Sequence, residues 1–451
     1  MSAVTTSLPR PVVYYNNATG KYVRQDTRGV WIGLSESSVR RHLKEAGFND
    51  RRGFGLLTSE LDSEITRVQL EHTVDGAMAL AGYDQGIHEI NGRRILVTES
   101  PTLIIPAPGN WPTIAAILER MFIAGGIDQR PYLFGWLHVA CSALRARQWQ
   151  PGQVCVFAGP VESGKSLLQW IITQLLGGRS ANPFLYMTDR TSFNADHFRA
   201  EHLAIEDSAE STDMRTRRHA GAFFKAVSVN REHNFHQKGA TAMTLTPFWR
   251  LTVSVNDEPG RLQVVPPIED DIADKIMLFQ VSPGAMPMPT TTTDQKQQFE
   301  QTLRSELPAF LDFILNHSIP PELTNSRCGI RHYHHPELLA NLSLLSSETR
   351  LLDLIDGVVF EREARREWVG RAAELERELL TASSPAYVRQ AERLLHYSSA
   401  CGVYLSNLAR VRPERVQQTS RGVYRIEAPR FDLEEVLSAA RSEGAGVFAI
   451  S

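Results

Sequence analysis

Gly159-Pro160-Val161-Glu162-Ser163-Gly164-Lys165-Ser166 is the stretch on which the reading of this chain turns. It follows the apolar run Val154-Cys-Val-Phe-Ala158 and precedes the amphipathic stretch Leu167-Leu-Gln-Trp-Ile-Ile-Thr-Gln-Leu-Leu176. A short apolar run bounded by a glycine turn reads as a buried strand, and the stretch after it spaces its apolar residues as a helix does. Strand, glycine loop and helix in that order make a phosphate loop. The spacing G-x-x-x-x-G-K-S aims backbone N–H groups and a helix N-terminus at a triphosphate. Lys165 is then placed for the β- and γ-phosphates and the Ser166 hydroxyl for Mg²⁺. Gly159 to Ser166, with Leu167 behind them, are the candidate ATP-binding residues.

Bulk properties limit what the rest of the chain can be. A length of 451 residues suggests two to four domains, and 42% hydrophobic content is enough to fill their cores. The formal net charge of -3 gives no global basic signature, so any nucleic-acid contact has to come from local clusters. Cys141, Cys155, Cys328 and Cys401 stand far apart, with no C-x-x-C pair, and read as core residues in a reducing compartment. The first ten residues lack the apolar core of a signal peptide, and no apolar run is long enough to span a membrane. A soluble, cytoplasmic protein with no membrane partner is expected.

Outward from the loop, the N-terminal part reads as short strands at Val12–Tyr15, Lys21–Val23 and Val30–Ile32, then a helix over residues 36–46 capped by Ser35 and ended by Gly47. Residues 1–53 carry nine Lys/Arg against four Asp/Glu, with Arg40, Arg41, Lys44, Arg51 and Arg52 bunched. That cluster is either a nucleic-acid face or a solvated helix face. A second helix is expected over residues 59–70, two strands around the Asn91-Gly92 turn, and a proline-rich linker from Pro106 to Pro112. Helices between Trp111 and Trp149 lead into the loop strand. Beyond a polar linker over residues 283–298 the signal is mostly helical. The tail reads as helices near 372–380, 385–395 and 399–408, then a strand pair ending in Gly422-Val-Tyr-Arg-Ile-Glu427, the order of a winged helix-turn-helix. A protein-binding winged helix or a structural lid would show the same order.

Three later segments fit a phosphate-loop motor. His202-Leu-Ala-Ile-Glu206-Asp207 is an apolar strand ending in two carboxylates, 41 residues after Lys165. One carboxylate can hold Mg²⁺ and the other can polarise the attacking water. Order alone does not divide the roles; we assign Glu206 to the metal, with Ser166, and Asp207 to the water. Leu251-Thr-Val-Ser-Val-Asn256 is a β-branched strand ending in Asn256, by itself also a turn former; it resembles the polar residue that additional-strand phosphate-loop ATPases place between their two Walker strands to sense the γ-phosphate or orient water. Between them lies a basic stretch: residues 215–261 hold eight Lys/Arg against three Asp/Glu. Within it, Phe235-His236-Gln237-Lys238-Gly239 reads as a hairpin tip flanked by strands at Val227–Val229 and Thr241–Leu245. An exposed Lys/His tip can contact backbone phosphates without reading sequence. His236, Lys238 and Gly239 are thus the candidate DNA-binding residues.

This order of segments resembles the superfamily 3 helicases, a branch of the AAA+ ATPases, in particular the helicase part of phage and plasmid primase-helicases with their poxvirus-type relatives. The resemblance spans roughly Trp136 to Gln280. It implies a hexameric ring with ATP and Mg²⁺ between subunits and single-stranded or forked DNA in the pore. It also implies 3′→5′ translocation on hairpin tips carrying Lys238 and His236. Such enzymes need a basic residue that reaches a neighbour's γ-phosphate. The matching segment Asp270-Asp271-Ile-Ala-Asp274-Lys275 offers Lys275, with Arg231 and Arg261 as competitors. No carboxylate and histidine set for a primase stands in the first 110 or so residues, so priming is assigned to a separate primase or polymerase partner.

The expected architecture is α/β: a small N-terminal α/β domain (1–108), an AAA+ phosphate-loop core with a helical lead-in (109–282), a helical segment (283–360) and a winged-helix-like C-terminal domain (361–451). The expected activity is ATP-dependent unwinding in replication of a phage or mobile element. Two rivals are an origin-binding initiator or loader without processive unwinding, and a nucleotide-gated scaffold or defence ATPase.

Overall fold

Two runs in the middle of the chain, Val154–Ala158 and Arg250–Val255, are buried at every position. Such unbroken burial is what a strand in a parallel sheet covered on both faces requires. The computed structural model, which describes residues 12–55, 57–206, 214–257, 262–266, 268, 271–344, 347–360, 365–395 and 399–429, places them side by side in one sheet. That sheet has five parallel strands in the order Ser180–Ala181, His202–Ile205, Arg250–Val255, Val154–Ala158, Ile276–Gln280. The strand that ends before Asn256 therefore lies between the loop strand and the strand that ends before Glu206.

The register sets the heights of the strand ends. Val156 is level with Val253, and Ile205 is level with Val253 as well. Three chains leave the same edge of the sheet together, the edge at which α/β folds place ligands.

Helices Pro112–Phe122 and Arg130–Ala146 pack on this sheet with Lys165–Leu175 and Thr293–Leu315. Phe122 meets Phe157 and Phe279 edge-on, with ring centroids 6.0 and 5.6 Å apart. Trp111 provides no side-chain cap for helix Pro112–Phe122. The carboxylate of Glu306, buried on helix Thr293–Leu315, accepts from the N–H groups of Thr113 at 3.1 Å and Ile114 at 2.9 Å instead. A negative charge at a helix N-terminus is favourable there, and it fixes the lead-in helix from a distant part of the chain.

The N-terminal part forms a sheet of Trp31–Leu34, Lys21–Gln25, Val13–Asn16 and Thr73–Val74, covered by helices Glu36–Glu45 and Glu60–Glu71. Ser35 and Ser59 cap these two helices. A second sheet pairs Gly86–Ile90 with Arg93–Val97 around Asn91-Gly92. The buried pair Arg179–Glu201 fastens this part to the core, since Glu201 also accepts from the N–H of Gly82 at 2.8 Å and Arg179 donates to the carbonyl of Glu99 at 3.1 Å.

The chain divides into two compact units. Of the described residues, one comprises those within 12–206 and 218–340, the other those within 214–217 and 341–429. Within the second, helices Ser347–Ile355, Ala372–Leu380, Pro385–Leu394 and Ala400–Val411 enclose Leu351, Leu375, Leu379 and Leu405. An antiparallel sheet, ordered Glu367–Arg371, Val423–Glu427, Val416–Ser420, completes it.

Two local expectations need correcting. Residues 227–229 do not form a hairpin strand; they end helix Met214–Val229. Ala220, Phe224, Val227 and Ser228 are buried at helical spacing, and three residues of apparent alternation are too few to tell the two periods apart. The first strand of the C-terminal sheet, Glu367–Arg371, was not anticipated, because its ends are charged and Gly370 breaks the pattern. The α/β architecture with a parallel sheet and flanking helices is as expected.

Candidate functional site

The Gly159–Ser166 loop leaves the sheet under tight geometric control. The N–H of Gly159 donates to the carbonyl of Val255 at 3.2 Å, and that of Val281 donates to Ala158 at 2.7 Å. A Cβ on Gly159 would lie 2.2 Å from the Val281 carbonyl oxygen, so only glycine fits between the two neighbouring strand ends. Gly164 has φ +95° and begins helix Lys165–Leu175. Glu162 has φ 62°, a left-handed conformation that a side chain rarely adopts and that loops at functional sites tolerate. Pro160 and Val161 lie on the outer turn with Val161 exposed, Ser163 is buried, and Leu167 is half-buried against the core.

Lys165 is the hub. Its side chain is 7% exposed, and Nζ donates to the carbonyls of Gly159 at 2.7 Å and Pro160 at 2.8 Å. The Asn256 Oδ1 lies 3.3 Å from the same nitrogen. Ser166, the next residue, is exposed at the helix N-terminus, and Glu206 is exposed just past the end of its strand. A hydroxyl and a carboxylate are hard oxygen donors of the kind Mg²⁺ takes, and a site completed by phosphate oxygens needs no larger protein cage. Asp207 and Arg261 lie outside the described residues.

Beneath the loop, a line of buried polar groups ties its helix to the two strands beyond it. Thr173 Oγ1 donates to the Gln169 carbonyl at 2.9 Å and lies 2.6 Å from His202 Nδ1. His202 Nε2 lies 2.8 Å from Thr252 Oγ1, to which Gln169 Nε2 donates at 3.0 Å. One assignment satisfies both ring nitrogens and both hydroxyls: the histidine is neutral with its proton on Nδ1, and the Thr252 hydroxyl donates to Nε2. Burial lowers the His202 pKa to about 3, in keeping with that neutral form. The loop helix, the Glu206 strand and the Asn256 strand are thereby held in one register.

Arg120, on the lead-in helix, was not anticipated. It donates to the carbonyl of Ser163 at 3.2 Å and also to that of Gly284. Burial lowers its pKa. No sequence signal marks it, because its role comes from contacts with residues far along the chain.

The hairpin lies elsewhere. Strands His233–Phe235 and Met243–Leu245 pair antiparallel, and Phe235 is buried against Phe198 at 5.2 Å between centroids. Asn194 clamps the start of the tip, accepting from the His236 N–H at 2.8 Å and donating to the Asn234 carbonyl at 2.8 Å. His236 packs on Phe193, which is 43% exposed, with ring centroids 5.0 Å apart. Lys238 is exposed and forms no ion pair with the described residues, and Gly239 has φ +75° with open space around it. Phe193 and Asn194 were also missed, since the loop that carries them precedes the hairpin by some forty residues.

Of the candidate cross-subunit residues, Lys275 is committed within its own chain, donating to the Asp271 carbonyl at 2.7 Å and to Asp274 at 2.6 Å. It precedes Ile276, which is level with Val154, so it sits at the opposite end of the sheet from the loop. Arg231 is exposed.

No protein-family model and no curated protein sequence matches the chain. Among solved structures, it is similar to the apo structure of the NrS-1 C-terminal region, at 12% identity and a TM-score of 0.53, over 92% of this chain and 96% of that one. An A-form apo structure of the same region gives 13% identity and a TM-score of 0.52, again over 92% and 96%. At these identities the shared property is the fold, and it extends over nearly the whole of both chains. SCCmec type IV Cch, described as an active helicase, aligns over 90% of this chain and 74% of its own at 10% identity, but with a TM-score of 0.28 it has no weight for the fold. Among the described residues no helix is long and apolar enough to cross a membrane.

Proposed function

We propose that this chain is an ATP-dependent DNA helicase of the superfamily 3 type, acting as a homohexameric ring that moves 3′→5′ on single-stranded DNA. The observation that supports this most is the meeting of Lys165 and Asn256 at 3.3 Å, with Glu206 leaving the adjoining strand at the same sheet edge. Lys165 neutralises the β- and γ-phosphates of ATP, Ser166 and Glu206 hold Mg²⁺, and Asp207 orients the attacking water. The metal supplies charge neutralisation of the leaving phosphates. Asn256, in contact with Lys165, reports the γ-phosphate to the strand between the other two. The polar line through His202 then carries the state of the loop helix to the sheet.

The hairpin gives the site a purpose beyond hydrolysis. Lys238, with His236 and Gly239 in the same tip, contacts backbone phosphates, and Phe193 offers an aromatic face beside it. The cross-subunit residue is drawn from Arg231, Arg261 and Lys275; Arg231 is exposed, whereas Lys275 would have to leave Asp274. Residues 1–108 act as a small N-terminal domain, 109–282 as the AAA+ motor, 283–360 as a helical segment, and 361–451 as a winged-helix-like module. The protein works in the cytoplasm of a bacterial or phage-infected cell beside a separate primase.

The helical second unit with its three-stranded sheet favours one alternative, an initiator or loader that binds duplex DNA without unwinding it. Mass measurement with an ATP analogue and single-stranded DNA distinguishes them in part: a DNA-dependent hexamer supports the helicase, and a monomer or dimer under all conditions refutes it. Sequence-specific duplex binding with no strand displacement would establish the initiator.

A further inference from the structure

The basic cluster of residues 40–52 is not used by the motor, and the structure sorts its members. Arg40 is bonded to Glu36 and Asp62, each at 2.8 Å, and Lys44 pairs with Asp50. Arg41, Arg51 and Arg52 are exposed and form no ion pair with the described residues. Arg51 and Arg52 open a projecting loop whose base is pinned: the N–H of Asn49 donates to Glu60 Oε2 at 3.1 Å, and its carbonyl accepts from the Leu61 N–H at 3.1 Å. On this loop Phe54 is 110% exposed and Leu57 is 90% exposed. Phe54 lies between Gly53 and Gly55, and Gly55 has φ +80° with nothing near it.

A single exposed apolar side chain needs no explanation. A fully exposed ring beside two unpaired guanidinium groups, held between glycines on an anchored loop, is a different object. Nucleic-acid bases offer π-faces to the ring, and their phosphates offer charge to the arginines. The same loop suits a second copy of the chain poorly, because burial of Arg51 and Arg52 against it would need a matching acidic surface. It suits a bilayer poorly too, having no amphipathic helix.

We infer that Arg51, Arg52 and Phe54 form a second single-stranded nucleic-acid contact, separate from the hairpin, in which Phe54 stacks on a base and Arg51 and Arg52 bind the flanking phosphates. This rests on the helicase reading, and it adds a place where the strand is gripped outside the motor. Because Phe54 is exposed, its replacement leaves thermal stability unchanged.

The test uses the full chain, an ATP analogue and a fluorescent oligothymidylate. Phe54→Ala is expected to weaken binding about tenfold, within the range found for losing one base–aromatic stack. Phe54→Trp should retain binding, with its fluorescence quenched by the oligonucleotide. Removing both arginines, Arg51→Ala with Arg52→Ala, should reduce the slope of log Kd against log salt by about 1.4, or about 0.7 per phosphate lost. Unchanged affinity of Phe54→Ala, with tight binding by the unaltered chain, overturns this inference alone. No oligonucleotide binding by the unaltered chain overturns it together with the helicase reading. A changed mass of Phe54→Ala without DNA, at unaltered DNA affinity, overturns it in favour of a contact between copies.

Discussion

Lys165 and Lys238 both stand next to a glycine with positive φ, yet their surroundings are opposites. Lys165 is buried, with its ammonium held by two loop carbonyls and touched by Asn256. Lys238 is exposed, on a tip whose base is held by Asn194 and by the packing of His236 on Phe193. A charge that must meet one phosphate in one geometry needs a rigid cradle. A charge that must meet any phosphate on a passing strand needs reach and freedom instead. The comparison predicts that substitutions around Lys165 act on chemistry and folding, and that substitutions at Lys238 act on DNA alone.

The largest effect should come from Lys165→Ala, which lowers the steady-state rate of ATP hydrolysis at least ~100-fold. Comparable hydrolysis by this variant would remove the basis of the comparison. Gly159→Ala comes next. Its new Cβ collides with the Val281 carbonyl, and the resulting backbone shift should destabilise the chain by about 1–3 kcal/mol in urea unfolding and weaken nucleotide binding. An unfolding midpoint equal to that of the natural protein would mean that the loop is looser than described.

His202 yields a prediction in pH. Its folded pKa is about 3 and its unfolded value is near 6.5, so below about pH 6.5 the unfolded chain takes up a proton that the folded chain refuses. Stability should therefore fall as pH drops from 6.5 towards 3, by up to about 1.4 kcal/mol per unit from this residue, and be flat above 7. His197, lowered to about 4, acts in the same direction. Thr252→Val tests the same polar line at neutral pH: it leaves His202 Nε2 without a partner and removes one bond of the Gln169 amide, which keeps the Ile205 carbonyl at 3.1 Å, a loss of about 1–3 kcal/mol by thermal unfolding.

The smallest effect on the protein itself belongs to Lys238→Ala. Stability and DNA-free ATP hydrolysis should not change, and the salt slope of single-strand binding should fall by about 0.7. A drop in DNA-free hydrolysis would show that the two lysines are not as separate as their surroundings suggest.

The same contrast explains what the sequence made legible. Strand Val154–Ala158 could be found because full burial writes an unbroken apolar run, strand Arg250–Val255 from its β-branched residues although Thr252 and Ser254 interrupt the apolar ones, and the loop between strand and helix because its glycines are forced by backbone geometry. The hairpin tip was legible from composition, but its first strand was set too early, since three residues ending a helix imitate alternation. Arg120, Phe193 and Glu306 could not be found at all. Each acts on residues distant in the chain, and nothing local in sequence marks a side chain whose partner is brought to it by folding. The polar line through His202 was hidden for the same reason: read alone, His202 is only the first residue of an apolar strand.

The central claim is that hydrolysis at the Lys165 loop drives movement along DNA, and strand displacement from a forked duplex bearing a 3′ single-stranded arm tests it most directly. The natural chain with ATP and Mg²⁺ should release the displaced strand, and Lys165→Ala should release none under the same conditions. Equal displacement by both proteins, or none by the natural chain while it hydrolyses ATP, would contradict the account.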